Sequence, residues 1–241
     1  MNVWKGAWYL AKHEILQDRW KILISLSFVI YMLLFSIPLF MADFAGERET
    51  TMNWATDFIY LSLLPCLGFV INKSMMGYWK EDTFTKKMAH WHTMPITSKQ
   101  IVLGRLIHLT IVLLASQLIF FALQYTYFYV NEANLSILDF MLYGLSWFLY
   151  SLSMAIAYIY WEIGYPGKTY FLVNFIYIFG FLALSVCLSI FKVGNIVVNS
   201  FHLIEDGNWW IVLVALAVCI AAIFIGINRM ENRLEKRSYS V

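Results

Sequence analysis

The sequence predicts an all-α integral membrane protein with six transmembrane helices and both termini in the cytoplasm. Three observations lead to this prediction: an apolar composition, six hydrophobic segments of spanning length, and a one-sided distribution of lysine and arginine. Of the 241 residues, 61% are hydrophobic and 13% are charged, whereas soluble domains carry about 25% charged residues. A soluble fold could not cover this much apolar surface, so lipid is the expected solvent. We expect one transmembrane domain over residues 1–241.

Six segments are long and apolar enough to cross a bilayer, which takes about 20 residues of helix. They cover residues 22–41, 54–76, 99–129, 137–160, 169–191 and 209–228. Residues 22–76 thus hold the first two spans, and 99–228 hold the other four. Pro38 and Pro65 lie inside the first two spans and predict kinks there, because proline leaves a helical carbonyl without its donor.

The lysines and arginines predict the orientation, since they concentrate in cytoplasmic loops. On the six-span topology, 15 of the 17 lie on one side and only Arg48 and Lys192 lie on the other. The basic side includes both ends of the chain, with a basic tail at 229–241. Both termini are therefore expected in the cytoplasm, in a multi-pass protein of the cell membrane.

The first 21 residues predict a helix that lies flat in the membrane interface. One stripe at helical spacing consists of Trp4, Trp8, Ala11 and Ile15, and basic residues run along its shoulder at Lys5, Lys12 and Arg19. Basic amphipathic helices with tryptophan bind the lipid interface. A plain anchor without a mechanistic role fits the same pattern.

The loop at 80–98 is the one long cytoplasmic connection of this topology, and it predicts a short amphipathic helix. Phe84, Met88 and Trp91 fall on one apolar face. Asp82 or Thr83 is expected to cap its start, and Pro95 to end it. Thr97 and Gln100 then have the spacing of a capping box, which starts the third span. The apolar face would rest on lipid or dock into a groove on a cytoplasmic partner.

Three stretches of this region resemble the loop of ABC-2 type transporter permeases: Asp82-Thr83-Phe84, His92-Thr93-Met94-Pro95-Ile96-Thr97 and Gln100-Ile101-Val102-Leu103-Gly104-Arg105. Met94 stands where the family usually has leucine. The six-span architecture with an interfacial helix also matches that family. The resemblance implies that residues 82–97 form a coupling helix seated in an ATPase subunit. Its contact residues would be Asp82, Phe84, Met88, Trp91, Met94, Pro95 and Thr97.

The resemblance also implies a function and a set of partners. The chain would be the permease subunit of an exporter of a hydrophobic or amphipathic compound, such as a peptide antibiotic, a drug or a lipid-linked substrate. It would pair with a second permease subunit, identical or different, in a bacterial plasma membrane. ATP and Mg²⁺ would bind a separate P-loop ATPase, so this chain would be no enzyme, hold no cofactor and contact no nucleic acid.

A secondary transporter and an intramembrane lipid-modifying enzyme are the alternatives. The first would call for half-repeats, and no convincing internal repeat is seen. The second would need a catalytic cluster, and none has the spacing. The segment 164–169 ends in Gly-Lys-Thr like a phosphate-binding loop, but Glu162 stands where that motif requires glycine. ATP binding by this chain is therefore not expected.

Several polar residues lie within or near the predicted spans: Asp57, Gln117, Gln124, Asp139, Asn174 and His108. They are candidates for a substrate path or, alternatively, for interfacial and helix-pairing positions. His90 and His92 fall on different faces of a helix, so a metal site is not expected. Cys66, Cys187 and Cys219 lie in apolar runs and predict no disulfide. Residues 194–207 are too short to span and predict a re-entrant or outer-interface helix.

Overall fold

The computed structural model describes residues 2–17, 21–44, 54–69, 83–131, 135–191 and 195–237, and every regular element in these ranges is helical. The elements are α1 (Val3–Gln17), α2 (Lys21–Phe44), α3 (Trp54–Phe58), α4 (Thr83–His92), α5 (Ser98–Val130), α6 (Ile137–Gly164), α7 (Gly167–Ile190), α8 (Ile196–Glu205) and α9 (Trp210–Glu235). After α3 the chain continues through a π-helical turn at Ile59–Leu63 and a 3₁₀ turn at Pro65–Gly68. The all-α prediction is confirmed for this part of the chain.

Among the described residues, five helices are long and apolar enough to cross a membrane. The segments are Ile24–Ala42, Ser98–Val130, Ile137–Gly164, Gly167–Ile190 and Trp210–Glu235. They correspond to the first, third, fourth, fifth and sixth predicted spans. The last of them runs seven residues further than predicted (228 to 235), because its basic end packs against the rest of the protein.

The second predicted span, 54–76, is not among these five, and residues 70–76 lie outside the described ranges. Its described part is broken rather than regular, since Pro65 has no N–H to donate to the Leu61 carbonyl four residues earlier. The Tyr150 hydroxyl of α6 donates to that carbonyl at 2.9 Å. The Gln117 side chain of α5 donates to the Leu64 carbonyl at 3.5 Å. Neighbouring helices thus satisfy the backbone at the break.

The broken segment nevertheless runs antiparallel alongside α5. Tyr60 hydrogen-bonds Gln124 at 2.7 and 3.0 Å, and a Cβ on Gly68 would lie 3.2 Å from the Leu109 side chain. Fifteen residues of α5 separate these two contacts, which is about 22 Å of helix. The residues from Tyr60 to Gly68 therefore pack against this part of α5 in the opposite chain direction.

An aromatic cluster forms the core at the end of the bundle away from α1. The rings of Phe40 and Phe128 stack at 5.2 Å between centroids, and Tyr143 lies 5.6 Å from Phe201. All four side chains are buried. The cluster joins α2, α5, α6 and α8, which fixes the short helix α8 against the long ones.

The outer faces of α7 and α9 are apolar and exposed. Ile176 of α7 and Phe224 of α9 are both 68% exposed. Such faces are typical of helices that contact lipid rather than water. The described bundle is therefore that of a multi-pass membrane protein.

Candidate functional site

Five polar side chains from four helices meet at the end of the bundle that carries α1 and α4. They are Glu14 of α1, Lys87 of α4, Arg105 and His108 of α5, and Glu162 of α6. We call this group the charged cluster. Its members come from parts of the sequence up to 148 residues apart (Glu14 to Glu162), so only the fold brings them together.

Arg105 is shared by the two carboxylates of the charged cluster. Its Nη2 donates to Glu162 Oε1 at 2.6 Å, and its Nη1 lies 3.5 Å from Glu14 Oε2. Glu14 also accepts from Lys87. Each of the two carboxylates is thus paired with a cation, as buried charges require.

His108 lies beside both Arg105 and Glu14 in this arrangement. Its Nδ1 is 3.1 Å from Arg105 Nη1 and 3.6 Å from Glu14 Oε2. The imidazole therefore takes part in the polar contacts between α5 and α1.

Burial and the neighbouring cations shift the pKa of Glu14 in opposite directions. The side chain of Glu14 is 7% exposed. Desolvation raises the pKa of its carboxyl, but the attraction of Arg105 and Lys87 outweighs it and holds the pKa at about 2, below the usual 4.5. Glu14 is therefore ionised throughout the physiological range. It anchors α1 by an electrostatic contact with α4 and α5.

The depressed pKa of Glu14 predicts an acid-sensitive contact between α1 and the bundle. The ionised carboxylate stabilises the folded state fully above pH 4.5, and this stabilisation is lost as pH falls from 4.5 towards 2. Because Lys87 is partly exposed, we expect a loss of about 2 kcal/mol, less than the full shift would give. Unfolding of wild type and Glu14→Gln in mixed micelles between pH 7 and 3 measures it. Parallel pH profiles for the two proteins would contradict the assignment.

Small residues let α1 approach α5 closely. A Cβ on Gly104 would lie 3.1 Å from the Ala7 carbonyl oxygen and 3.1 Å from Leu10 Cβ. The buried residues of α1 are Gly6, Ala7, Ala11 and Glu14. The predicted stripe is therefore divided: Ala11 faces α5, Ile15 is half-buried, and Trp4 and Trp8 are 63% and 51% exposed.

The predicted boundaries of the loop helix agree with α4. It starts at Thr83 and ends at His92, before Pro95. The capping box is present in both directions: Gln100 N–H donates to Thr97 Oγ1 at 3.3 Å, and Thr97 N–H donates to Gln100 Oε1 at 3.0 Å. Asp82 and the side chain of Phe84 lie outside the described residues.

The apolar face of α4 packs on the chain's own helices. Met88 is 1% exposed, and Trp91 is half-buried with Lys87 Nζ 4.6 Å from its ring centroid. Met88, one of the expected partner contacts, is thus enclosed by helices of its own chain. The exposed residues of this region are Lys86, His90, Thr93, Met94, Pro95 and Thr97, and Met94 is 40% exposed.

The basic end of α9 binds α4 from the other side. Arg237 donates to Thr85 Oγ1 and to the Ile163 carbonyl. Arg233 Nε donates to the Gly164 carbonyl at 3.3 Å, and its guanidinium lies 4.5 Å from the centre of the Tyr165 ring. The Gly-Lys-Thr motif follows this turn as the first residues of α7, and the element before the turn is the helix α6 rather than a strand. The turn thus serves as a contact for α9.

Asp57 caps a helix instead of facing a path. Its Oδ2 accepts from the Ile196 N–H at 3.1 Å and its Oδ1 from the Val197 N–H at 3.0 Å. These amides belong to the first turn of α8, where a carboxylate is favoured, and Val197 N–H also donates to Asn195 Oδ1 at 3.1 Å. The segment 194–207 thus contains a ten-residue helix whose N-terminus is fixed to α3.

Because Asp57 binds the N-terminus of α8, replacing it should destabilise α8 locally. Asp57→Ala leaves the two amides without this acceptor, so we expect a loss of about 1–2 kcal/mol and faster hydrogen exchange across α8. Asp139→Ala is the matched control, since Asp139 is a half-buried carboxylate in the first turn of α6. Equal exchange rates in both variants would mean that Asp57 does not hold α8.

Of the other polar residues proposed for a substrate path, three form hydrogen bonds within the bundle and two lie outside the charged cluster. Gln117 and Gln124 bind the broken segment, and His108 belongs to the charged cluster. Asp139 and Asn174 are half-buried. Within the described residues no group of three metal-ligating side chains occurs. Sequence reasoning did not identify Glu14, Lys87 or Glu162 as site residues. The available signal for Glu14 was its position as the one acidic residue on the face of α1 that carries Ala7 and Ala11.

Comparisons of the chain with protein-family models, with curated proteins and with solved structures find no match. The charged cluster and α4 are therefore interpreted from their own geometry and chemistry. That geometry connects one short helix, α4, to α1 through Glu14, to α5 through Glu14 and Arg105, and to α9 through Arg237.

Proposed function

We propose that this chain is the membrane-spanning permease subunit of an ATP-driven ABC-2 type transporter, an exporter of a hydrophobic or amphipathic compound. The single observation that supports this most is α4, a short helix at the basic end between the broken segment and α5. It ends before Pro95, forms an ion pair with α1 through Lys87 and Glu14, and accepts a hydrogen bond from Arg237 at Thr85. A permease needs such an element to receive force from its ATPase.

In this proposal the ATPase binds the exposed side of α4 and the corner that follows it. Lys86 and His90 lie on that side, and Met94 and Pro95 form the corner. Met88 and Trp91 hold α4 against the membrane helices. A displacement of α4 then reaches α1 through Lys87 and Glu14, and α9 through Thr85 and Arg237.

The rest of the proposed assembly follows the resemblance. Both termini are in the cytoplasm, the predicted second span at 54–76 completes six spans, and a second permease subunit covers part of the exposed apolar surface. ATP and Mg²⁺ bind the ATPase. The exposed side of α1, with Trp4 and Trp8, lies in the lipid interface.

Co-purification from native membranes in mild detergent tests this proposal. We expect a P-loop ATPase to accompany wild type and to be lost, at least tenfold, from Lys86→Glu and His90→Glu. Lys236→Glu is the matched control, because it reverses another exposed lysine at the same end of the bundle. Absence of an ATPase from wild type, with the membrane subunits intact, would refute the proposal.

The buried pair of Arg105 and Glu162 favours a second candidate, an ion-coupled secondary transporter. Ionisable groups buried among the helices of a membrane protein often belong to proton or ion pathways. The two candidates differ in their energy source. Transport by the purified chain in vesicles with an ion gradient, without any ATPase, would favour the second candidate.

A further inference from the structure

The face of α1 that points away from α5 combines apolar and basic side chains. Four large apolar side chains of this face are more than half exposed: Trp4 63%, Trp8 51%, Tyr9 66% and Leu16 59%. Lys5 and Lys12 are exposed on the same face. We call these six residues the outer surface of α1. Apolar side chains grouped in this way mark a surface that something other than water covers.

The two lysines of the outer surface form a row between two apolar rows. Lys5 and Lys12 are seven residues apart, so two helical turns bring them to the same side of α1, about 10 Å apart along its axis. At the spacing of an α-helix, the tryptophans lie on one flank of this row, and Tyr9 and Leu16 lie on the other. A lysine in such a position rests its aliphatic stem on apolar neighbours and extends its ammonium group beyond them. The outer surface thus offers apolar contact and positive charge at the same place.

The outer surface contains no acidic residue that would neutralise its lysines. Among residues 2–17 the one acidic side chain is Glu14. It lies on the opposite side of α1, where it is 7% exposed and accepts from Lys87. A negatively charged partner therefore complements the outer surface.

We propose that the outer surface of α1 binds anionic phospholipid, with its rings in the headgroup layer and its two lysines paired with the negative headgroups. Tryptophan and tyrosine favour this layer of a bilayer, and each lysine near an anionic leaflet strengthens binding about fivefold. A protein partner fits less well, because lysine is depleted in protein–protein interfaces.

This inference rests on the position of α1 in the lipid interface that the proposed function includes, and it adds the class of headgroup. It does not depend on an ATPase. With lipid on its outer surface, α1 is held on two sides, since Glu14 binds Lys87 and Arg105 on the inner one.

Photocrosslinking to lipid tests the inference on the purified chain. A photoreactive phenylalanine analogue replaces Tyr9 in nanodiscs with equal amounts of phosphatidylglycerol and phosphatidylcholine, and mass spectrometry measures the adducts of each lipid. The same analogue at Ile176, which is 68% exposed on α7, reports the lipids around an apolar span. We expect phosphatidylglycerol adducts to exceed phosphatidylcholine adducts about fivefold or more at Tyr9 and to equal them at Ile176.

Charge variants test whether the lysines cause the selection. Lys5→Gln with Lys12→Gln should lower the adduct ratio at Tyr9 to that at Ile176, whereas Lys5→Arg with Lys12→Arg should keep it high. Lys86→Gln with Lys236→Gln is the matched control and should leave the ratio unchanged. It also removes two exposed lysines, but from α4 and from the residue after α9.

Three results would overturn the inference, each with a different meaning. Equal adduct ratios at Tyr9 and Ile176 would mean that the outer surface lies in lipid without selecting its charge. A high ratio that survives Lys5→Gln with Lys12→Gln would assign the selection to other residues. Adducts with a second copy of the chain in place of lipid would also remove α1 from the interface in the proposed function. The co-purification of an ATPase is independent of all three.

Discussion

Replacing Arg105 with glutamine is expected to destabilise the protein by about 3–5 kcal/mol, the usual cost of removing one partner from a buried ion pair. Arg105 is the one residue of the charged cluster that contacts both Glu14 and Glu162. Without it Glu162 keeps a buried charge without its counterion, and α1, α5 and α6 lose their common contact. The free energy of unfolding in mixed micelles is the measurement.

Two further variants isolate the charge effect of Arg105. Arg229→Gln makes the same substitution at an exposed position of α9 and should change stability by less than about 0.5 kcal/mol. Adding Glu162→Gln to Arg105→Gln should recover part of the loss, because the uncompensated charge is gone. Wild-type stability in Arg105→Gln would mean that the cluster does not hold the bundle together.

A leucine at Gly226 is expected to separate α9 from α6 and cost about 3 kcal/mol or more. A Cβ at this position would lie 2.4 Å from Ile156 Cγ2, a distance that no packed structure tolerates. Ile156 is buried and β-branched, so it has little freedom to move aside. Overpacked cores lose stability through strained rotamers and backbone shifts. Thermal unfolding in mild detergent measures the effect.

Gly180 provides the matched control for Gly226, as it lies in the apolar helix α7 with nothing within 4 Å of its Cβ position. Gly180→Leu should therefore leave stability unchanged or raise it slightly. Ile156→Ala should restore part of the stability lost in Gly226→Leu, because it makes room for the new side chain. Equal losses at Gly226 and Gly180 would contradict the packing of α9 on α6.

The helices and several of their ends could be predicted from the sequence because their signals are local. The apolar length of each span, the stop at Pro95 and the capping box of Thr97 and Gln100 depend only on neighbouring residues. The break near Pro65 was predicted as a kink for the same reason. Its full extent, with a π turn and a 3₁₀ turn, depends on donors from Tyr150 and Gln117 that lie on other helices.

The contacts of the charged cluster could not be predicted, because they join residues far apart in the sequence. Glu14 lies on a face with Ala7 and Ala11, and only the close approach to Gly104 makes that face an interface. The sequence likewise does not determine what covers the apolar stripe of α4. The pattern predicts an apolar face for Met88, but it does not say whether the bundle or a partner covers it.

Photocrosslinking from α4 tests the central claim most directly. A photoreactive phenylalanine analogue at Met94, which is 40% exposed, is compared with the same analogue at Leu203, which is 41% exposed on α8. Irradiation in native membranes should join Met94, but not Leu203, to a P-loop ATPase identified by mass spectrometry. Capture of no ATPase at Met94, or equal capture at both positions, would contradict the account of α4 as the contact with an ATPase.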